Sequence, residues 1–133
     1  MSHFTTVETK IHDLVALEKA LEDLGYEYTS AEEGQKVVVR GYEGDITQEE
    51  MCIRASRTYD IGVRVTDQGV QFVADWWGVE STRGVSEAEF IQQVTQRYAY
   101  HKVKSELADR GYTVTQEEEA ETGEIHIKVR GWK

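Results

Sequence analysis

The chain has 133 residues, of which 39% are hydrophobic and 10% aromatic, enough for one packed domain and too few for two ordinary ones. Acids outnumber bases 25 to 15, giving a formal charge of −10, which argues against nucleic acid and anionic membranes as partners. A single cysteine excludes an internal disulfide, and neither a span-length apolar run nor an N-terminal leader is present, so the sequence reads as a soluble intracellular protein.

In chain order, Ser2 to Glu8 reads as a short strand with Phe4 and Val7 among threonines. Asp13 is placed to cap a helix whose Leu14, Leu17, Leu21 and Leu24 recur every three or four residues, the spacing of one buried stripe. Gly25 stops it, Tyr26 to Thr29 starts a strand, Glu32-Glu33-Gly34 turns, and Lys36 to Arg40 is a β-branched run. Gly41 to Glu50 is polar and contains glycine, and predicts a mobile loop. Met51 to Arg54 reads as a short strand or edge piece. From Tyr59 to Thr66 the alternation is clean, placing Tyr59, Ile61, Val63 and Val65 on one face. Asp67-Gln68-Gly69 is a hairpin turn, after which Val70, Phe72, Ala74 and Trp76 share a face of the returning strand while Val73 and Trp77 point the other way. Ser86 with Glu89 forms a capping box ahead of a long helix ending near Asp109. Phe90, Ile91, Val94 and Tyr98 make its first stripe, and Val103 and Leu107 lie on a shifted face, which predicts a bend or burial on more than one side. Gly111 ends the helix, and Tyr112 to Glu117 pairs with Glu124 to Arg130, where Ile125, Ile127 and Val129 face one way.

Two segments repeat. Leu21-Glu22-Asp23-Leu24-Gly25-Tyr26 is echoed by Leu107-Ala108-Asp109-Arg110-Gly111-Tyr112, and Val39-Arg40-Gly41-Tyr42 by Val129-Arg130-Gly131-Trp132. The predicted fold is therefore α+β. It is an antiparallel sheet of six or seven strands with two helices on one face, built on a ferredoxin-like helix-hairpin repeat with an extra hairpin between the halves.

Two clusters carry the chemistry. In Arg97-Tyr98-Ala99-Tyr100-His101-Lys102 the residues Arg97 and His101 share a helix face, so Arg97, Tyr100 and His101 present a surface for a carboxylate or a partner peptide; the competing expectation is that they tie the helix to its neighbours. In Trp76-Trp77 the strand assignment sends one indole to each face, so one ring is either covered by the 41–50 loop or free for a partner. His3, His12, His101 and His126 lack zinc spacing, and one cysteine cannot hold an iron–sulfur cluster. Cys52 reads as a packed thiol. Gly41 to Asp45 is not a phosphate loop, and no nucleophile elbow, dinucleotide fingerprint or other cofactor motif is present.

The opening Met1-Ser2-His3-Phe4-Thr5, the Leu21 to Tyr26 helix end and Gln96-Arg97-Tyr98-Ala99-Tyr100-His101-Lys102-Val103 resemble a family of small cyanobacterial and red-algal plastid proteins. It is named for hypothetical chloroplast open reading frame thirty-five, a domain of unknown function, and the resemblance covers essentially the whole chain. It implies a place in the cyanobacterial cytosol or plastid stroma and an accessory role beside an AAA-class ATPase or a ferredoxin-linked machine. It implies no reaction and no catalytic residues.

Two functions follow as expectations. One is a non-catalytic assembly or regulatory factor that binds another protein through Trp76, Trp77, Arg97, Tyr100 and His101. The other is a small-molecule-binding domain or small enzyme with a pocket between the long helix and the sheet, lined by Tyr98, His101 and Trp76. A homodimer through an exposed strand edge or the outer sheet face is a further option.

Overall fold

The structure is a computed structural model that describes residues 3–121 and 124–131. Met1, Ser2 and Trp132, which enter the strand, resemblance and repeat expectations above, lie outside them. The elements in order are β1 (Thr5–Glu8), α1 (Leu14–Asp23), β2 (Glu27–Ser30), β3 (Val37–Arg40), β4 (Ile46–Glu49), β5 (Met51–Arg54), β6 (Asp60–Thr66), β7 (Gly69–Ala74), α2 (Trp76–Arg83), α3 (Glu87–Asp109), β8 (Tyr112–Glu119) and β9 (Ile125–Gly131).

Strands β1-β7-β6-β5-β2 form one five-stranded sheet, antiparallel throughout, and the other four strands form two separate hairpins, β3–β4 and β8–β9. The α+β class with antiparallel strands holds. The expected single sheet of six or seven strands is instead divided five, two and two.

The period of two in β6 and β7 gives the sheet its two faces. Ile61 opposes Ala74, Val63 opposes Phe72 and Val65 opposes Val70, so these side chains share the helix side. Against them pack Leu17 and Leu21 of α1, Trp76 and Val79 of α2, and Phe90 and Val94 of α3. Phe90 is the hub, with its ring edge-on to Phe72 at 5.2 Å and to Tyr26 at 5.6 Å between centroids. Each fully buried side chain of this size contributes about 1.5–3 kcal/mol relative to exposure, so the helix-side core supplies most of the driving force. The helices begin where the caps direct. The Asp13 carboxylate accepts from the Ala16 amide at 3.1 Å, and Ser86 and Glu89 complete the capping box of α3.

The opposite face of β6 carries Asp60, Gly62 and Arg64, and the β3–β4 hairpin lies on it. A Cβ on Gly62 would come within 2.7 Å of the Glu49 side chain and 3.1 Å of Val39, so only glycine admits the hairpin this closely. Two forked ion pairs flank that glycine. Arg40 of β3 donates Nε and Nη2 to the two Asp60 oxygens at 2.8 and 2.9 Å. Arg64 of β6 donates Nε and Nη2 to the two Glu49 oxygens at 2.9 and 2.8 Å. Glu49 also accepts from the Thr47 hydroxyl at 2.7 Å, and Asp60 from the Arg40 amide at 2.9 Å. Burial alone would raise both carboxyls. The facing guanidiniums outweigh it and hold Glu49 and Asp60 below their ordinary values.

Three local expectations need correction. Residues 41–50 are not one loop: a tight turn, in which the Asp45 amide donates to the Tyr42 carbonyl at 2.9 Å, leads into β4, which lies on the sheet. Its strand character was hidden because its buried residue is a glutamate, whose partner Arg64 lies on another strand. The strand after Gly69 stops at Ala74, and Trp76 and Trp77 open a helix, because the Asp75 carboxylate caps it by accepting from the Gly78 amide at 3.1 Å. The sequence echo also gives unlike pairings. Both copies end a helix at a left-handed glycine, Gly25 (φ 81) and Gly111 (φ 83). β8 then pairs with β9, whereas β2 pairs with β5 and β3 with β4.

Removing Arg64 leaves Glu49 charged and sealed from water. Arg64→Met is expected to cost about 3 kcal/mol, while adding Glu49→Leu recovers most of that loss. Urea denaturation of the two variants checks this; a double variant no more stable than the single one would contradict it.

Candidate functional site

Adjacent residues on a helix diverge by about 100°. Trp76 therefore turns inward, 8% exposed and against Phe90 at 5.7 Å, while Trp77 turns outward and is 62% exposed. Both ends of α2 are held firmly. Gly78 lets the Tyr59 ring lie against the first turn, where a Cβ would sit 1.9 Å from it. At the last turn Arg83 stacks over the Tyr26 ring at 3.9 Å and donates to the Ala55 carbonyl at 3.1 Å, and Gly84 (φ 83) ends the helix.

Among the described residues Trp77 meets one aromatic neighbour, Tyr42, edge-on at 6.4 Å between centroids. Tyr42 opens the turn between β3 and β4, where Glu43 adopts the left-handed region (φ 45, ψ 49), a conformation that costs a non-glycine residue about 1 kcal/mol or more. Gly41 just before it passes so near Phe4 that a Cβ would meet the ring at 2.6 Å. The Tyr42 hydroxyl is held above its usual pKa by the neighbouring Glu43 carboxylate. On the outer side of the same hairpin Val38 and Ile46 are also exposed. An apolar, aromatic surface thus crowns a turn fixed by the ion pairs beneath it.

The α3 cluster is turned inward toward α1. Arg97 donates Nε and Nη2 to Asp23 Oδ2 at 3.0 and 2.6 Å, and His101 Nε2 meets the same oxygen at 2.6 Å. Burial would raise the Asp23 carboxyl, but Arg97 and His101 together keep it below its ordinary value. The Tyr98 hydroxyl accepts from the His12 and Asp13 amides at 3.2 and 3.1 Å, and Lys102 reaches Asp13 at 3.4 Å. Tyr100 faces the other way: its hydroxyl donates to Glu117 of β8, and Arg97 stacks over its ring at 4.5 Å. Lys104 also pairs with Glu117, at 3.2 Å. Val103 of the shifted stripe borders a hollow shared with Ile125 and Ile127 of β9, so the second half of α3 supports the β8–β9 hairpin rather than the sheet.

The structure therefore brings Arg97 and His101 together on one carboxylate and separates them from the indoles. His101 lies eleven residues beyond Phe90, the Trp76 contact, or about 16 Å along the helix. Tyr98, His101 and Trp76 consequently do not line a common pocket. The expected cover of one indole by the 41–50 segment amounts, among the described residues, to the Tyr42 contact alone, which leaves Trp77 62% exposed. The helix that carries Trp77 was not read from the sequence; the signal that could have found it was Asp75 with Gly84, a cap and a stop bracketing one short helix.

Among the described residues no group of three or more histidines, cysteines or acids is placed to hold a metal ion, and no helix is long and apolar enough to cross a membrane. Residues 20–128 match the family model described as a protein of unknown function (DUF1257). The chain is similar to the uncharacterized protein ycf35 of Guillardia theta, 31% identical with 100% of this chain and 99% of that one covered. It is also similar to the ycf35 proteins of Cyanophora paradoxa (28%, covering 100% and 99%) and Pyropia yezoensis (29%, covering 99% and 98%). No solved structure matches the chain.

Cys52 lies opposite Gly62 on the hairpin side of the sheet. Burial, reinforced by the Asp60 carboxylate, pushes its thiol up to about 12. Alkylation of the folded protein by iodoacetamide at pH 8 is therefore expected to run about a thousandfold slower than in the urea-unfolded chain. Equal rates would contradict the placement.

Proposed function

The chain belongs to the DUF1257 family, which brings no activity to inherit, and from its own surface we propose that it is a non-catalytic accessory protein that docks another protein on the Trp77–Tyr42 surface. The observation that carries this is the position of Trp77. A 62% exposed tryptophan at the head of a helix anchored at both ends offers a large contact area at small entropic cost.

Trp76, Arg97 and His101 support that surface from a distance in this account. Trp76 anchors α2 in the core, and Arg97 and His101 lock α1 to α3. Tyr100 belongs to the brace between α3 and β8. Candidate partners are the AAA-class ATPase and ferredoxin-linked machinery implied by the family resemblance, in a cyanobacterial cytosol or plastid stroma.

The test is affinity capture from native lysate with and without Trp77→Ser. The expected result is a stoichiometric partner whose binding falls at least about tenfold, the scale of a central aromatic contact. The variant's own stability is expected to change by no more than about 0.5 kcal/mol, as is usual at exposed positions. The same partners captured equally by both forms would overturn the proposal.

A further inference from the structure

Elsewhere in this chain, tyrosine rings near the surface are completed by cations. The Tyr100 hydroxyl donates to the Glu117 carboxylate, and two cations lie over the same ring, Arg97 at 4.5 Å and Lys104 at 5.2 Å from its centroid. Each of those cations also serves an acid, Lys104 pairing with Glu117 and Arg97 with Asp23. Tyr26 likewise carries Arg83 at 3.9 Å. The unit at Tyr100 is a ring, a carboxylate at its edge and a cation that meets both.

The Trp77–Tyr42 surface has the first two members of that unit and lacks the third. Its rings meet at an interplanar angle of 78°, so they stand as two walls nearly at right angles, and both are exposed. The Glu43 carboxylate lies close enough to the Tyr42 hydroxyl to raise it. Its charge is also felt by Tyr59, whose ring lies against Gly78, the residue after Trp77, so the carboxylate stands on the α2 side of the turn. Among the described residues no cation stacks on either ring, and none pairs with Glu43. Asp45 ends the same turn, and Glu80 sits one helical turn after Trp77, so the border adds no cation of its own.

The missing member defines what would bind. An anion is repelled by these acids. A purely aliphatic group would cover the rings and strip water from the carboxylate without replacing it. A quaternary ammonium would use the rings and offer no N–H to Glu43. Arginine meets both needs, since its planar guanidinium lies flat on an aromatic face while its N–H fork donates to a carboxylate. It is also more weakly hydrated than the lysine ammonium, and in this chain the guanidiniums lie nearer their rings than the ammonium does.

We propose that the Trp77–Tyr42 surface receives an arginine side chain of the docked protein, its guanidinium stacked on the Trp77 indole and hydrogen-bonded to Glu43. This rests on the reading of that surface as a docking site and adds the partner's chemistry, a basic segment that presents arginine. The net charge of −10 draws such a segment in, and the rings with Glu43 give its arginine a seat.

The test is NMR of the full chain, following the Trp77 indole N–H and the Tyr42 ring protons, titrated at constant ionic strength with the blocked tripeptide Gly-Arg-Gly. Gly-citrulline-Gly, which keeps the planar shape and loses the charge, is run beside it, as are Gly-Lys-Gly and tetramethylammonium chloride. The arginine peptide is expected to bind about tenfold more tightly than the citrulline peptide, the product of one exposed cation–π contact and one exposed ion pair. Trp77→Leu and Glu43→Gln are each expected to weaken it about threefold, with Trp77→Phe, which keeps a ring face, falling less than Trp77→Leu. Glu43→Gln is expected to leave the citrulline peptide unaffected. If Glu43→Gln disturbs the turn, as its amide spectrum would reveal, the citrulline comparison and the two Trp77 variants carry the test.

Equal binding of the citrulline peptide, tighter binding of the lysine peptide or tetramethylammonium, or indifference to Trp77→Leu would overturn the proposal. A peptide series without discrimination, beside a lysate capture that still depends on Trp77, would overturn the arginine assignment and leave the docking site standing. A capture indifferent to Trp77→Ser, beside an arginine peptide that binds as expected, would overturn the docking reading alone.

Discussion

The outer face of the sheet is governed by three alternate positions of β6. Asp60, Gly62 and Arg64 point the same way, and each meets the β3–β4 hairpin differently: a carboxylate for Arg40, a bare backbone for Val39 and Glu49, a guanidinium for Glu49. The two ion pairs run in opposite senses, with β6 supplying the acid at one end and the base at the other. The hairpin laid down reversed would set Arg40 against Arg64 and Glu49 against Asp60. Like charges in that position are strongly unfavourable, so the arrangement selects one orientation as well as stabilising it. The desolvation of Glu49 and Asp60 offsets much of the Coulomb gain, and specificity is the larger return.

The clamp also links structure to the proposed surface. Fixing β3 and β4 fixes the turn between them, and the turn carries Tyr42 to the exposed ring of Trp77. Trp77 itself is set by α2, capped by Asp75 and pressed on Tyr59 through Gly78. Two independently anchored elements meet at one aromatic contact.

Much of this fold is legible in the residues themselves. The alternation of β6 and β7, the leucine stripe and Asp13 cap of α1, and the Ser86 capping box of α3 are local signals, and each element forms where its pattern places it. What escaped local reading depends on partners remote in sequence. Glu49 reads as a loop residue until Arg64 is beside it, and nothing in the clean alternation of β6 marks Gly62 as the seat of a hairpin. Arg97 and His101 read equally as a partner surface or as a tie to a neighbouring element until Asp23, more than seventy residues away, takes both. Trp76 and Trp77 mislead for another reason. Aromatic residues after a strand suggest more strand, and a single Asp75 hydrogen bond to the Gly78 amide decides for a helix.

The central claim is that the β3–β4 hairpin is a separate layer seated on the bare backbone of Gly62. Amide hydrogen exchange of Gly62→Val against the unchanged protein tests it most directly. Protection is predicted to collapse through residues 37–49 and to persist in α1, the first half of α3 and the β6–β7 pair, because the valine evicts the hairpin and leaves the helix side intact. Protection kept at residues 37–49, or lost uniformly across the chain, would contradict the account.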